Sequence, residues 1–236
     1  MKITDKFVEK KPLVSFEIFP PKAGYPVDTI YDSIDELYNL EPDFMSVTYG
    51  AGGSTRDKTV EISSYIQNRC NLTSVAHVTC ISSTRNEINN ILNSLTESNV
   101  QNVLALRGDY PRDFSAVAVP ADRFKNSVEL IEYFKKNSDL CVGAACYPEK
   151  HPDAKNLDAD IDFLRRKVDA GADFLVTQMF FDNEVFYDFY DKTQNKGIDL
   201  PIFTGIMPIL NKHQVNTIKK LTGNSIPEKL QRLLDK

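Results

Sequence analysis

The residues of this sequence that could do chemistry follow short apolar runs. The run Val103-Leu-Ala-Leu106 ends in Arg107-Gly108-Asp109, which places a cation, a glycine and an anion in direct succession. Glycine lets the backbone approach a ligand closely, and charges at such a point are rarely needed for packing. The alternative is a loop in which Arg107 and Asp109 pair with neighbouring side chains. Taken alone, this turn leaves both interpretations open.

A carboxylate and an imidazole lie inside two other apolar runs. Glu17 falls within Ser15-Phe-Glu-Ile-Phe19, where burial would raise its pKa and suit it to general-acid chemistry. The alternative for Glu17 is a structural pair with a buried Lys or Arg. His77 is a single histidine in an apolar run, which is more typical of a satisfied core residue than of a ligand.

Two loops carry unusual local sequences. Gly50-Ala51-Gly-Gly-Ser54 could bind an anion through backbone N–H groups, or could be a turn that Ser54 caps. It lacks the lysine and the glycine spacing of the common phosphate loops. The segment Tyr147-Pro-Glu-Lys-His151-Pro is bracketed by two prolines, which favours a rigid loop that displays its side chains.

Three further polar residues occupy positions that suit a binding site. Asp160 and Lys167 are two helical turns apart in a helical pattern, so they lie on nearly one helix face. Gln178 follows a strand-like run and offers both a donor and an acceptor, which suits an amide-like heterocycle. The sequence shows no GxSxG motif, no H-x-H after the first strand and no evident three-ligand metal set. The polar residues named above favour a binding site for a planar cofactor with polar edges over a hydrolytic site. The alternative is a metal-dependent lyase or hydrolase that uses Glu17, His77 and Asp109.

The composition limits the classes of partner. The chain has 236 residues, a formal net charge of -5 and a pI near 5.3, which argues against nucleic acid or an anionic membrane as the main partner. The polar start and the lack of a long apolar run predict neither a signal peptide nor a membrane span. Four cysteines without a CxxC pair are expected to be reduced thiols in a cytoplasmic protein.

The order of strand-like and helix-like segments predicts the fold. Apolar runs of strand type recur about every 30 residues, the size of a βα unit, with amphipathic helical patterns between them. Such a series predicts a single (β/α)8 TIM-type barrel over residues 1–236 that lacks a counterpart of the last βα unit, and a doubly wound open sheet is the alternative. The predicted strands are Leu13–Phe19, Phe44–Tyr49, Ser74–Cys80, Asn102–Arg107, Cys141–Cys146, Phe174–Gln178 and Ile202–Gly205.

In combination, these segments resemble the methylenetetrahydrofolate reductase family, in order from about Leu13 to about Val215. Each motif alone is weak evidence for the family, whereas the motifs in combination are specific. The motifs are Ser15-Phe-Glu-Ile-Phe-Pro-Pro-Lys22, Ser46-Val-Thr-Tyr-Gly-Ala51, His77-Val-Thr-Cys80, Leu106-Arg-Gly-Asp109, Tyr147-Pro-Glu-Lys-His-Pro152, Lys167-Val-Asp-Ala-Gly-Ala172, Thr177-Gln-Met-Phe-Phe-Asp182 and Gly205-Ile-Met-Pro208.

The resemblance implies a flavin-containing (β/α)8 barrel that reduces 5,10-methylenetetrahydrofolate to 5-methyltetrahydrofolate. It implies that Glu17 is the general acid that protonates folate N10, and that Asp109 contacts both the pterin and the flavin. Gln178 and Gln214 match folate-contacting glutamines, and Thr48 matches a nicotinamide contact. The remaining matches to FAD contacts are Tyr49, Ala51, His77, Arg107, Gly108, Tyr147, His151, Ala154, Asp160, Arg166 and Lys167.

The sequence departs from the family pattern near its end. The family continues into a final strand and helix with a folate-binding arginine that has no counterpart here, and Gly50-Ala-Gly-Gly-Ser54 is more glycine-rich than in some relatives. A shortened FAD-binding barrel that acts as a non-autonomous partner subunit is therefore a further alternative. The electron donor is left open among NADH, NADPH and a protein partner. We expect a homo-oligomer. The sequence does not decide whether the pathway is methionine supply or carbon fixation.

Overall fold

Seven parallel strands alternate with helices in a computed structural model that describes residues 1–9, 11–21, 24–49, 53–109 and 119–234. The order of the strands in the sheet follows their order in the chain. The strands are β1 (Ser15–Ile18), β2 (Phe44–Val47), β3 (Thr73–Thr79), β4 (Asn102–Leu106), β5 (Cys141–Cys146), β6 (Phe174–Thr177) and β7 (Ile202–Phe203).

All seven predicted strands are confirmed, and six of them end one or two residues earlier than predicted. Thr48, Arg107 and Gln178, which the sequence predicts as strand residues, instead follow the last residue of their strands. The difference has a physical reason, because polar side chains at a strand end leave the apolar interior and the backbone turns with them. These three residues therefore lie just beyond the carboxyl ends of their strands.

Two helices show the buried face that their periodicity predicted. In α3 (Arg85–Glu97) the buried residues are Ile88, Leu92 and Leu95, and in α4 (Ser127–Asn137) they include Leu130 and Phe134. A 3₁₀ helix at Ile3–Glu9 precedes β1, and a π-helical turn at Tyr65–Arg69 follows α2 (Gly53–Ser64). The helices are α1 (Asp28–Tyr38), α2 (Gly53–Ser64), α3 (Arg85–Glu97), α4 (Ser127–Asn137), α5 (Leu157–Asp169), α6 (Asn183–Asn195), α7 (Lys212–Thr222) and α8 (Glu228–Leu234).

Local sequence explains where several helices begin and end. Thr84 and Glu87 form a reciprocal capping box at the start of α3, in which each side chain accepts a hydrogen bond from the other residue's backbone. Asp182 caps α6 by accepting from the N–H of Glu184. Gly197 has φ +68 directly after the C-cap of α6, a left-handed conformation that favours glycine.

The chain divides into two compact units. The first is Met1–Ala144 with Ala170–Asp173, and the second is Ala145–Asp169 with Phe174–Lys236. In the first unit, β1 and β2 pack against α1 and α2 through Ile34, Met45 and Ile62, all fully buried. Burial of each such side chain contributes about 1.5–3 kcal/mol, which holds these strands against their helices. The single-domain interpretation stays a prediction.

The topology confirms the fold class. Every described strand pair is parallel, and parallel strands that follow chain order with a helix between neighbours are the pattern of a (β/α)8 barrel. The described residues supply seven of its strands, so the fold is α/β and that of an incomplete TIM-type barrel. In the part of the chain that the structure describes, no helix is both long and apolar enough to span a bilayer.

Candidate active site

Glu17 and His77 face each other in the first unit. Glu17 of β1 lies opposite Ser46 of β2, and Ser46 lies opposite Val75 of β3. His77 is two residues beyond Val75, and residues two apart in a strand point to the same side of the sheet. His77 Nε2 lies 3.8 Å from Glu17 Oε2. The strand register therefore brings together two groups that the sequence offered separately.

The surroundings favour the neutral form of both groups. The His77 side chain is only 8% exposed, and burial lowers its pKa to about 4. The Glu17 side chain keeps 46% of its surface exposed, yet desolvation by the surrounding protein raises its pKa above the ordinary value of 4.5. At neutral pH the imidazole is therefore uncharged, and the contact is not an ion pair. In the described part of the chain, the ionisable neighbour of Glu17 is this histidine and not a Lys or Arg.

Thr48 and Tyr49 follow β2 in an ordered turn. The N–H of Thr48 donates to the carbonyl of Ile18 at 2.9 Å, and its carbonyl accepts from the Thr59 hydroxyl at 3.0 Å. The Tyr49 hydroxyl shares a hydrogen bond of 3.3 Å with the hydroxyl of Ser83, which is fully buried. These bonds fix the backbone at the end of β2 and hold the Tyr49 ring at the end of β3.

The Arg107-Gly108-Asp109 turn requires its glycine. Gly108 has φ +83, and a Cβ placed there would lie 2.8 Å from the Cβ of Thr79, closer than real Cβ atoms approach one another. The Arg107 carbonyl accepts from the N–H of Ile81 at 2.9 Å, and the Arg107 Nε donates to the carbonyl of Gly108 at 3.1 Å. Asp109 is exposed at the end of the turn.

In the second unit, the loop after β5 is built around Lys150. Lys150 has φ +81, and its ammonium group donates to the carbonyls of His151, Pro152 and Ala154 at 3.3, 3.4 and 3.1 Å. The rings of Tyr147 and His151 meet edge to face with centroids 4.8 Å apart. The loop is therefore ordered and displays its aromatic side chains, as the flanking prolines predicted.

Asp160 and Lys167 lie on the buried side of α5, which confirms their predicted shared face. Asp160 Oδ2 accepts from the N–H of His151 at 2.7 Å. The Lys167 ammonium donates to the carbonyl of Ala145 at 2.7 Å and lies 5.8 Å from the Tyr147 ring centroid. A buried cation held on a strand-end carbonyl is a fixed positive charge in this unit.

The remaining predicted residues of the second unit are placed less distinctively. Ala154 is half-buried in the loop after β5, and Arg166 is exposed on α5 with its guanidinium over the Phe163 ring at 5.1 Å.

The two predicted glutamines each accept a backbone hydrogen bond. Gln178 turns its side-chain oxygen back to accept from the N–H of Met179 at 2.9 Å. Gln214 Oε1 accepts from the N–H of Leu210 at 2.6 Å, so it takes part in the start of α7.

Two findings limit which predicted residues can be placed in the site. Ala51, predicted as a cofactor contact, lies outside the described residues. Among the residues that the structure does describe, no group of three or more His, Cys, Asp or Glu could hold a metal ion.

The chain matches known proteins over nearly its whole length. The family model described as methylenetetrahydrofolate reductase matches residues 2–236. The 5,10-methylenetetrahydrofolate reductase of Escherichia coli (strain K12) is 38% identical over 222 residues, which cover 94% of this chain and 73% of that protein. Methylenetetrahydrofolate reductase (NADH) 1 of Arabidopsis thaliana is 34% identical over 250 residues, which cover 100% of this chain and 42% of the plant protein.

The chain belongs to the methylenetetrahydrofolate reductase family.

Membership of the methylenetetrahydrofolate reductase family confirms the resemblance and the expected enzyme class. A solved structure supports the fold separately: an uncharacterized protein from Clostridium thermocellum that binds two copies of 5-methyl-5,6,7,8-tetrahydrofolic acid. It has a TM-score of 0.66 and 19% identity, and the match covers 98% of this chain and 78% of that chain. At this identity the likeness shows the fold alone.

Sequence reasoning missed two residues that shape the candidate site of this family member. Ser83 holds the Tyr49 hydroxyl, and Lys150 supplies three hydrogen bonds to the loop that carries His151. The signal for Lys150 was its position between Pro148 and Pro152, since a long cation in a short rigid loop can reach several carbonyls. Ser83 gave no local signal, because its partner comes from another strand end.

Proposed function

We propose that this protein reduces 5,10-methylenetetrahydrofolate to 5-methyltetrahydrofolate with bound FAD and with a reduced nicotinamide, NADH or NADPH, as electron donor. Family membership supports the reaction. The name of the plant relative specifies NADH, which supports a nicotinamide donor. The C. thermocellum protein binds a reduced folate, so a fold of this kind accommodates such a ligand.

The observation that carries the proposal is the environment of Glu17. Its carboxyl group is half-exposed at a strand end, its pKa is raised by desolvation, and a neutral imidazole lies 3.8 Å away. A carboxyl group with a raised pKa holds its proton closer to neutral pH, as a general acid must. Glu17 would protonate folate N10, which opens the five-membered ring and exposes the methylene carbon as an iminium cation.

The donor set in each unit fits FAD. The first unit offers the Tyr49 hydroxyl, the His77 imidazole and the Arg107 guanidinium, and the second offers the buried Lys167 ammonium. Guanidinium and ammonium groups suit phosphate oxygens, whereas hydroxyl and imidazole groups suit the polar edges of a flavin and its ribityl chain. When bound, FAD supplies the transfer of hydride from the nicotinamide to the folate methylene carbon.

The proposed FAD residues are assigned unit by unit. Those of the first unit are Tyr49, His77, Arg107, Gly108 and Asp109, with Ala51 beyond the described residues, and Thr48 is the proposed nicotinamide contact. Those of the second unit are Tyr147, His151, Ala154, Asp160, Arg166 and Lys167.

Asp109, Gln178 and Gln214 are the proposed folate contacts. The exposed carboxylate of Asp109 would bind the pterin and stabilise the nearby iminium cation by its negative charge. Gln178 and Gln214 present amide groups that match the donors and acceptors of a pterin ring. A contact through Gln214 Oε1 requires its hydrogen bond to Leu210 to be exchanged for the substrate.

The setting of the enzyme is also part of the proposal. We place it in the cytoplasm, which its four cysteines without a disulfide support. A homo-oligomer, with or without a redox partner subunit, stays a prediction that sedimentation of the purified protein tests directly.

Spectroscopy of the two half-reactions tests the function. The purified protein is expected to be yellow, with flavin absorbance that anaerobic NADH bleaches and methylenetetrahydrofolate restores. Glu17→Gln should still be bleached by NADH and should lose folate-dependent reoxidation by at least about 100-fold. Glu61→Gln, a change on the exposed face of α2, is the matched control and should behave as the wild type.

Two results would contradict the proposal at different points. Normal folate-dependent reoxidation of Glu17→Gln would remove the general-acid role and leave the reaction itself in place. A protein that binds no flavin from an excess of FAD would remove the cofactor assignment.

A further inference from the structure

We propose that His77 is a positioning residue for Glu17, which holds the Oε2 atom through its Nε2 N–H and leaves Oε1 to carry the proton that is transferred. The inference rests on the proposed function, in which Glu17 is the general acid. It adds a residue that acts through Glu17 and an assignment of the two carboxyl oxygens to different tasks.

The geometry gives the two partners unequal freedom. His77 is in the middle of β3, where its Cα is paired with that of Leu104 in β4, and its side chain is almost completely buried. Glu17 is half-exposed and can change rotamer. Between them on β2 lies Ser46, whose small side chain leaves room for the imidazole and the carboxyl group to approach across the intervening strand. The fixed member of the pair is therefore the imidazole, and the mobile one is the acid.

The charge state of His77 suits a hydrogen-bond donor rather than a counter-ion. Because burial lowers the pKa of His77 to about 4, the imidazole is neutral at neutral pH and has one N–H donor and one acceptor nitrogen. A charged imidazolium would stabilise the carboxylate so strongly that Glu17 would lose its proton before the reaction. A neutral N–H stabilises the carboxylate left after proton transfer without ionising the acid beforehand.

No other charge competes for this pair on the neighbouring strands. The described residues of β2 and β4 carry no titratable side chain, and the titratable residues that follow them are Tyr49 after β2 and Arg107 and Asp109 after β4. The pKa shifts of both Glu17 and His77 arise from desolvation. The effect of His77 on the pKa of Glu17 should therefore be measurable without interference from charges on these strands.

The separation of 3.8 Å is longer than a hydrogen bond, which spans about 2.7–3.2 Å between heavy atoms. Catalytic hydrogen bonds are often long in the free enzyme and shorten when substrate is bound. Rotation of the Glu17 side chain toward the buried imidazole closes the gap. In the proposed arrangement, Oε1 is the carboxyl oxygen that His77 does not hold.

Three substitutions of His77 separate a donor at Nε2 from a merely structural role. The side-chain amide of His77→Gln places an N–H near the position of Nε2, that of His77→Asn places one near Nδ1, and His77→Phe keeps the ring without a donor. The pKa of Glu17 is measured on the purified full chain from the ¹³C resonance of its δ carbon, assigned by its loss in Glu17→Gln. We expect an upward shift of about one pH unit in the Asn and Phe variants, and a value near wild type in the Gln variant.

The folate half-reaction supplies a second readout. Its rate should fall as pH rises through the pKa of Glu17, and this limb should move upward in the Asn and Phe variants and stay in place in the Gln variant. If the Phe variant does not fold, the comparison between Gln and Asn decides. Equal Glu17 titration in all of the folded proteins would overturn the inference.

The outcomes for the inference and for the proposed function are distinguishable. If Glu17→Gln abolishes folate reduction while His77 variants leave the titration of Glu17 unchanged, only the positioning role fails. If Glu17→Gln reduces folate normally, the general-acid role fails whatever the titrations show.

Discussion

The N–H of His151 donates to Asp160 Oδ2 at 2.7 Å, which ties the loop after β5 to the first turn of α5. The acceptor is a buried carboxylate, and hydrogen bonds to charged groups are stronger than those between neutral groups. Asp160 also lies where the helix dipole favours a negative charge. This one contact therefore serves both the helix start and the loop that displays Tyr147 and His151.

Replacement of Asp160 should loosen that loop. Asp160→Ala is expected to lower the free energy of unfolding by about 1.5–3 kcal/mol, because it removes the acceptor of the His151 N–H. Asp160→Asn keeps an acceptor and should lose less. Asp158→Ala, which removes an exposed acid from the same helical turn, is the control. Urea unfolding and hydrogen exchange of the His151 amide measure the effect, and an Asp158→Ala loss as large as that of Asp160→Ala would contradict this account.

Gly108→Ala should destabilise the protein through two separate effects. The residue would adopt φ +83, and its Cβ would lie 2.8 Å from the Cβ of Thr79. Gly223→Ala isolates the first effect, because Gly223 has φ +72 and an added Cβ there would meet nothing within 4 Å. We expect about 1–2 kcal/mol of destabilisation for Gly223→Ala and about 1–3 kcal/mol more for Gly108→Ala. Equal losses in urea unfolding would show that the turn moves to accommodate the methyl group.

The sequence predicts the strand ends to within one or two residues, because apolar runs stop where side chains become polar. Arg107 and Gln178 are predicted as the last residues of their strands and each lies one residue beyond the strand. The partner of Glu17 could not be predicted, since only the register of β1, β2 and β3 brings His77 to it. The expectation that His77 is a satisfied core residue describes its burial and misses the carboxyl group that it faces.

Asn102 shows the same limit away from the site. It is fully buried, its side-chain oxygen accepts from the N–H of Ile3 at 2.8 Å, and its amide donates to the carbonyls of Met1 and Ser74 at 3.1 Å. These partners are distant in sequence, so no local pattern predicts them. A buried polar residue at the start of an apolar strand signals that a partner exists, and only the fold identifies it.

Folding stability should depend on pH through His77. Its pKa falls from 6.5 to about 4 on burial, so its contribution is complete above pH 6.5 and is lost as pH falls toward 4. This decrease in the pKa of His77 corresponds to roughly 3 kcal/mol in the free energy of unfolding. Glu17 acts in the opposite sense, because its raised pKa gives a contribution that is present below 4.5 and is lost as pH rises. Urea unfolding at pH 7 and pH 4.5 should show a smaller loss on acidification in His77→Gln than in wild type, and parallel losses would contradict the buried, neutral imidazole.

Asp109→Asn should change flavin chemistry and folate binding together. In the proposed site, the Asp109 carboxylate lies near both ligands, so removal of its charge makes the flavin easier to reduce and raises its potential. The same change should weaken folate binding by about tenfold, or ~1.4 kcal/mol, because the pterin loses a charged acceptor. Asp139→Asn removes an equal charge before the start of β5, at the opposite end of the strands, and should change neither quantity. Dye-coupled potential measurements and folate titrations give the two values. If Asp109→Asn moved the flavin potential without moving the folate affinity, Asp109 would face the cofactor alone, and the pterin contact would have to be assigned to another residue.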